Sequence, residues 1–193
     1  MDIDIDVVDT FDVRKHFASA IRASVVKDEK LVPHPCGAYF QSIPKDPISS
    51  LAAIPYAEAE KLGYFKLDFL HIHTYSYFTS KAEISELLQH DPDWTLLKSP
   101  SVVKKLFQLG KHYDLIQEIK PSSIEEIADV LALIRPSKKN LLSLYKTNRP
   151  RARGLLYKID DGDAYGFKRS HSIAYAMIIV LQLHLIGAGI DIS

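Results

Sequence analysis

The chain has 193 residues, enough for one medium domain or two small ones, and its 47% hydrophobic and 25% charged residues exclude a disordered or fibrous chain. Twenty-four basic residues balance 24 acidic ones, which excludes a global basic footprint for nucleic acid and leaves local clusters to supply one. The single cysteine, Cys36, excludes an intramolecular disulfide and fits a reducing cytosol, and the acidic start is neither a signal nor a transit peptide.

The first element predicted is a strand, Met1-Asp2-Ile3-Asp4-Ile5-Asp6, in which apolar and acidic residues alternate with period two. Asp2, Asp4 and Asp6 share one face, with Ile3 and Ile5 facing a core. Carboxylates gathered on one face repel unless a cation lies between them, so the strand is either a metal-binding strand or an edge strand with a solvated acidic face. Next, Thr10 or Asp12 caps an expected helix to about Arg22, with Val13, Phe17 and Ile21 on its core face. Lys27 to Pro35 reads as a loop, Ala38 to Gln41 as a short strand, and Ile43 to Pro55 as an irregular excursion. Ala57 to Leu62 reads as a short helix stopped by Gly63.

Tyr64 to Leu70 is the second acidic strand, with Phe65, Leu67 and Phe69 on one face and Lys66 and Asp68 on the other. Were the two strands neighbours, Asp2, Asp4 and Asp68 would converge beside Lys66. Such a constellation suits two-metal phosphoryl or nucleotidyl transfer, the lysine offering a point charge to a phosphate. Beyond Phe78 the pattern is helical. Ser80 caps a helix through Leu88, Pro100 starts another, and Tyr113 to Ile119 forms a third. Ser123 with Glu126 makes a capping box for a helix from Ile124 to Ile134, which Pro136 ends.

Lys138 to Arg169 is locally basic, with Lys138, Lys139, Lys146, Arg149, Arg151, Arg153, Lys158, Lys168 and Arg169 against Asp160, Asp161 and Asp163. It reads equally as a solvated loop or a phosphate-binding surface, and Tyr145, Tyr157, Tyr165 and Phe167 interleave with the charges for stacking or packing. Ser170 or Ser172 caps the last helix, whose N-terminus beside Lys168 and Arg169 would suit an anion. Ile173 to Ile190 is nearly all apolar, but Gln182, His184, Gly187 and Gly189 interrupt it. It reads as a buried helix rather than a membrane span.

Several segments carry a family likeness, and they follow one order. They are Asp2-Ile3-Asp4-Ile5-Asp6, His34-Pro35-Cys36-Gly37, and Glu60 through Leu70 with its Lys66-Leu67-Asp68-Phe69-Leu70 core. They continue with Leu106-Phe107-Gln108-Leu109, Lys120-Pro121 through Ala132-Leu133-Ile134-Arg135-Pro136, and Tyr165 through Tyr175. Together they resemble the alpha (polymerase) subunit of bacterial replicative DNA polymerase III, the C-family DNA polymerases. The resemblance implies an α+β fold: a small mixed sheet like a reduced polymerase-beta-type nucleotidyltransferase palm over 1–78, followed by a mainly helical fingers-like region over 79–193.

By that resemblance, Asp2, Asp4 and Asp68 are the catalytic, metal-binding carboxylates for a pair of Mg²⁺ or Mn²⁺ ions. Lys66 lies beside them, and Asp6 occupies a position that varies among family branches. Arg135, Lys168, Arg169, Ser170 and His171 belong to a nucleotide- or DNA-binding fingers surface, and Arg149, Arg151 and Arg153 add to the basic stretch. Lys168-Arg169 replaces the family's Asn-Lys, Ser137 stands where it has glycine, and Gly110-Lys111 where it has Glu-Ser.

Relative to the family, the triphosphate-gripping loop before the first strand, the thumb, the phosphoesterase-like domain and the C-terminal regions are absent, and the fingers are shortened. With the α-amino group next to Asp2, weak metal affinity is expected of the isolated chain. Two functions follow: a minimal nucleotidyltransferase, or one piece of a split polymerase, acting on DNA and deoxynucleoside triphosphates; or a non-catalytic replication accessory or DNA-binding module. Both imply a cytoplasmic protein with no membrane role, partnered by DNA and by a second polymerase fragment or replisome protein. A reduced replication protein of this kind suits a phage.

Overall fold

The computed structural model describes residues 3–7, 12–158 and 167–192, with side chains at the start of the chain described from Ile5 on. Asp2, Thr10, Asp160, Asp161, Asp163 and Tyr165, all named above, lie outside the described residues. The chain divides into two compact units, Met1–Tyr77 and Phe78–Ser193.

The first unit is built on an open, mixed sheet of β1 (Ile3–Val7), β2 (Ile21–Lys27), β3 (Lys30–Tyr39) and β4 (Leu67–His71), in the order β1-β4-β3-β2. β1 and β4 run parallel; β4–β3 and β3–β2 are antiparallel. The expected small mixed sheet is therefore present, and β1 lies at its edge. Ile5 does not reach a core as expected of it: it is 37% exposed. On the face opposite Asp68, Phe69 stands 6.4 Å from Phe40, which meets Phe17 edge-to-face at 5.3 Å.

Two further expectations fail in this unit. The helix capped by Asp12 is only α1 (Val13–His16), although Asp12 does accept the Arg14 amide at 3.1 Å. Ile21, predicted on that helix, opens β2 instead, because pairing with β3 outweighs a four-residue apolar spacing. The segment from Lys27 to Pro35, predicted as a loop, is a hairpin. Asp28 and Glu29 both take positive φ, 50° and 62°, the pattern of a type I′ turn whose twist matches the strands. Left-handed backbone costs a residue with a Cβ about 1–2 kcal/mol. Glu29→Gly is therefore expected to stabilise this unit by about 1 kcal/mol, read as slower hydrogen exchange in β2 and β3.

Residues between β3 and α2 (Tyr56–Lys61) form the expected irregular excursion. It is not loose. Ser24, fully buried in β2, donates its hydroxyl to the Ala52 carbonyl at 2.7 Å, and the Ala52 amide donates to Arg22 O at 2.9 Å. Gly63, at φ 87°, ends α2 as expected.

The second unit is helical: α3 (Lys81–Leu87), α4 (Pro100–Val103), α5 (Tyr113–Ile119), α6 (Ile124–Leu133), α7 (Leu142–Thr147), α8 (Arg149–Leu156) and α9 (Arg169–Gly187). Ser80 and Ser123 cap α3 and α6 as expected, each accepting the amide of the glutamate three residues on at 3.2 Å. Each glutamate reaches back one residue further than a capping box requires, to the amides of Thr79 and Ser122 at 2.9 Å. The core is α6 against α9, with Ile127, Val130, Leu131, Ile179 and Leu183 in one buried cluster.

The basic stretch that reads as a loop or phosphate surface is folded through most of its described length, as a 3₁₀ stretch over Pro136–Leu141 followed by α7 and α8. Neither Ser170 nor Ser172 caps α9. Its N-cap is Lys168, and the buried Ser172 hydroxyl donates to the Ala128 carbonyl at 2.6 Å, tying α9 to α6. By length and composition α9 is able to cross a membrane, and half of its apolar window is buried within the protein.

Candidate metal centre

The parallel register sets position 4 of β1 beside Asp68 of β4, and Gly37 of β3 pairs with Asp68 from the other side. The two acidic strands are thus adjacent, with Asp4 opposite Asp68.

Lys66 and Asp68 point to the same face, as their alternation predicts, and form an ion pair through Lys66 Nζ and Asp68 Oδ2. Lys66 is only 4% exposed. The other carboxylate oxygen, Asp68 Oδ1, is buried and has no hydrogen-bond partner among the described residues. A buried acceptor left in that state costs about 1–3 kcal/mol, so the position favours an arriving cation.

The wall facing that oxygen is made by His34-Pro35-Cys36-Gly37, a bulge in β3. Pairing runs Arg22↔Ala38 and then Ser24↔Pro33, so residues 34–37 stand against Ala23 alone. Pro33 and Pro35 have no N–H to continue a ladder. Arg22 serves the released carbonyls instead, donating to His34 O at 3.1 Å and Pro35 O at 3.3 Å. His34 Nδ1 accepts the Gly37 amide at 2.9 Å and lies 3.8 Å from Asp68 Oδ1. Tyr56, at the start of α2, meets the His34 ring edge-to-face at 5.2 Å and lies 5.7 Å from the Lys66 ammonium.

His34, Cys36 and Asp68 each offer a ligand atom, all within 4.8 Å of one another. The group is therefore able to hold a single metal ion. His34 Nδ1 already accepts the Gly37 amide, whereas Asp68 Oδ1 accepts no hydrogen bond among the described residues. Only glycine suits position 37: a Cβ there would fall 2.8 Å from His34 Nδ1 and 2.9 Å from Asp68 Oδ1. Sequence reasoning placed His34 and Cys36 in a turn but not near the carboxylates. The signal available was the His-x-Cys-Gly spacing, which acquires meaning only once β3 lies against β4.

Asp6 is employed differently. It is exposed and accepts the Tyr75 hydroxyl at 3.2 Å. Burial, with the Asp6 carboxylate adding to it, pushes the Tyr75 phenol up to about 12.

In the helical unit most of the candidate cations have internal partners. Arg149 pairs with Glu126; Arg153 Nε donates to Asp129 at 2.6 Å; Arg169 pairs with Glu125 at 3.2 Å. Arg151 is exposed in the first turn of α8. Lys168, Ser170 and His171 lie at the start of α9. Arg135 follows α6, its guanidinium carbon 4.1 Å from the Phe167 ring centroid. No protein-family model matches the chain, and no curated protein matches it either.

Proposed function

We propose that this chain is a metal-dependent nucleotidyltransferase core, a reduced palm-and-fingers relative of the DNA polymerase III alpha subunit, acting alone or as one piece of a split polymerase. The observation that carries this reading is the Asp4–Asp68 register on adjacent parallel strands, with Asp68 Oδ1 buried and without a hydrogen-bond partner among the described residues. Asp4 and Asp68 would hold Mg²⁺ or Mn²⁺, with Asp2 the third carboxylate of the resemblance. Bound there, the metal supplies charge neutralisation for a phosphoryl group and lowers the pKa of an attacking hydroxyl. Lys66 balances the Asp68 charge and offers a point charge to a phosphate oxygen. The helical unit would serve as the fingers, and DNA with deoxynucleoside triphosphates as the substrates, in a reducing cytosol.

A second reading has its own observation. The Lys66 ammonium already neutralises Asp68, as a metal would, and this suits a non-catalytic replication accessory that keeps the fold and replaces the ion. Primer extension with Mg²⁺ and with Mn²⁺ separates the two. The enzyme reading predicts incorporation by the wild type that falls to the no-enzyme level in Asp68→Ala. Salt-sensitive DNA binding without incorporation, weakened by Arg151→Gln, favours the accessory.

A further inference from the structure

We infer that the helical unit binds a small anion built on a flat ring, of the nucleoside monophosphate class, in a cleft between Trp94 and Lys120. The inference does not rest on the metal centre, which belongs to the other unit.

The cleft is a cavity of about 490 Å³, inside the range of about 300–1,000 Å³ usual for small-molecule sites. One wall is a 3₁₀ turn over Trp94–Lys98; the other is the end of α5 with the Lys120-Pro121-Ser122 link to α6. Two side chains of α5 tie the walls together. Gln117 Nε2 donates to the Leu97 carbonyl at 2.7 Å, and the Tyr113 hydroxyl donates to the Lys98 carbonyl at 2.9 Å.

The lining is apolar, with charge of one sign. Trp94, Leu97, Ile116 and Pro121 supply the apolar surface, and Leu97 and Ile116 belong to the buried core behind it. Among the described residues, Lys98 and Lys120, both exposed, are the only charged groups that line the cavity. Asp93, next to Trp94 in the chain, does not line it; its Oδ1 accepts the Thr95 amide at 2.9 Å and the Thr95 hydroxyl at 2.6 Å. An indole beside a proline offers a stacking surface to a flat ring, and two ammonium groups suit the charge of a phosphate.

Two departures from ordinary structure point to an occupant. The Trp94 indole N–H is buried and has no acceptor among the described residues. A buried donor in that state is costly, and an acceptor brought into the cavity that the same ring lines would relieve it. Lys120 takes the left-handed conformation, φ 52° and ψ 60°, and ends α5 with its amide on the Ile116 carbonyl at 2.8 Å. Glycine or asparagine suits such a position with less strain. A lysine there forgoes helix-end stability and sets an ammonium group at the cleft.

The test follows the fluorescence of Trp94, the chain's only tryptophan, as the full chain is titrated with adenosine 5′-monophosphate. Saturable quenching is expected. Adenosine and inorganic phosphate, each carrying one half of the recognised chemistry, should bind at least tenfold more weakly. Lys98→Gln/Lys120→Asn should weaken nucleotide binding at least tenfold, whereas Lys81→Gln, a charge removed from α3, should leave it unchanged. Lys98→Gln alone, at a position without positive φ, should weaken binding in the same direction and keeps the test independent of the helix end. A single-stranded oligonucleotide is titrated in parallel. Tighter binding of the mononucleotide assigns a free nucleotide as the ligand; tighter binding of the oligonucleotide, with the same lysine dependence, assigns one unit of a nucleic-acid strand. If neither quenches Trp94, if inorganic phosphate binds as tightly as the nucleotide, or if both lysine variants bind as the wild type does, the inference is overturned.

Discussion

Asp129→Ala is expected to destabilise the helical unit by about 3–5 kcal/mol, the cost of removing one partner from a buried charged network. Asp129 lies within α6 at 2% exposure, the one acidic residue in an otherwise apolar run from Ile127 to Ile134. Its carboxylate accepts Tyr145 OH of α7 at 2.8 Å, Arg153 Nε of α8 at 2.6 Å, and Tyr157 OH, just past α8, at 3.0 Å. Tyr157 also lies 3.3 Å from the Ser172 hydroxyl of α9. One side chain thus fixes where α7 and α8 sit on α6. Its loss strands the buried Tyr145 phenol, while Tyr157 keeps the Ser172 hydroxyl and Arg153, at 34% exposure, is able to turn to water. Trp94, the chain's only tryptophan, packs against this core, so its fluorescence in urea reports the unit directly.

The same network sets an alkaline limit. Burial first, and then the Asp129 charge, raise the Tyr145 and Tyr157 phenols above their usual range, with Ser172 partly opposing this at Tyr157. A group raised in the folded state contributes stability that is complete below its unfolded value, near 10, and is lost as pH climbs beyond it. Wild-type stability should therefore fall above about pH 10, and Tyr145→Phe should flatten that fall.

Lys66→Met is the second large effect, about 3–5 kcal/mol within the first unit in the presence of a chelator. It removes the ammonium from a nearly buried pair and leaves the Asp68 carboxylate facing His34, Gly37 and position 4. The loss should appear as faster hydrogen exchange across β4. If the cleft accepts a divalent cation, Mn²⁺ should restore much of that protection in Lys66→Met and none of it in Lys66→Met/Asp68→Ala. Recovery by Mn²⁺ in the double variant would place the ion elsewhere.

Parts of this fold were legible because their signals are local. Ser80, and Ser123 with Glu126, mark the starts of α3 and α6 locally, and α5 runs over the expected Tyr113–Ile119. The hairpin was not legible. Its turn is Asp28-Glu29 rather than a glycine pair, and two prolines interrupt β3, so every local cue says loop while cross-strand pairing decides otherwise. The loop alternative for the basic stretch fails for a related reason: Asp129, from a distant segment, holds Tyr145 and Arg153 on α7 and α8. At the metal centre, alternation placed Lys66 and Asp68 on one face, but only the strand order made Asp4 a neighbour. His34 and Cys36 joined the site through a bulge that no period describes.

The central claim is that Asp68, with Asp4 beside it, is a divalent-cation site. The direct measurement is Mn²⁺ titration of the full chain, followed by the paramagnetic resonance signal of the free ion. Binding is expected for the wild type, with retention in Cys36→Ser, which keeps the Asp68 carboxylate, and loss in Asp68→Ala. Mn²⁺ binding by Asp68→Ala equal to that of the wild type would contradict it.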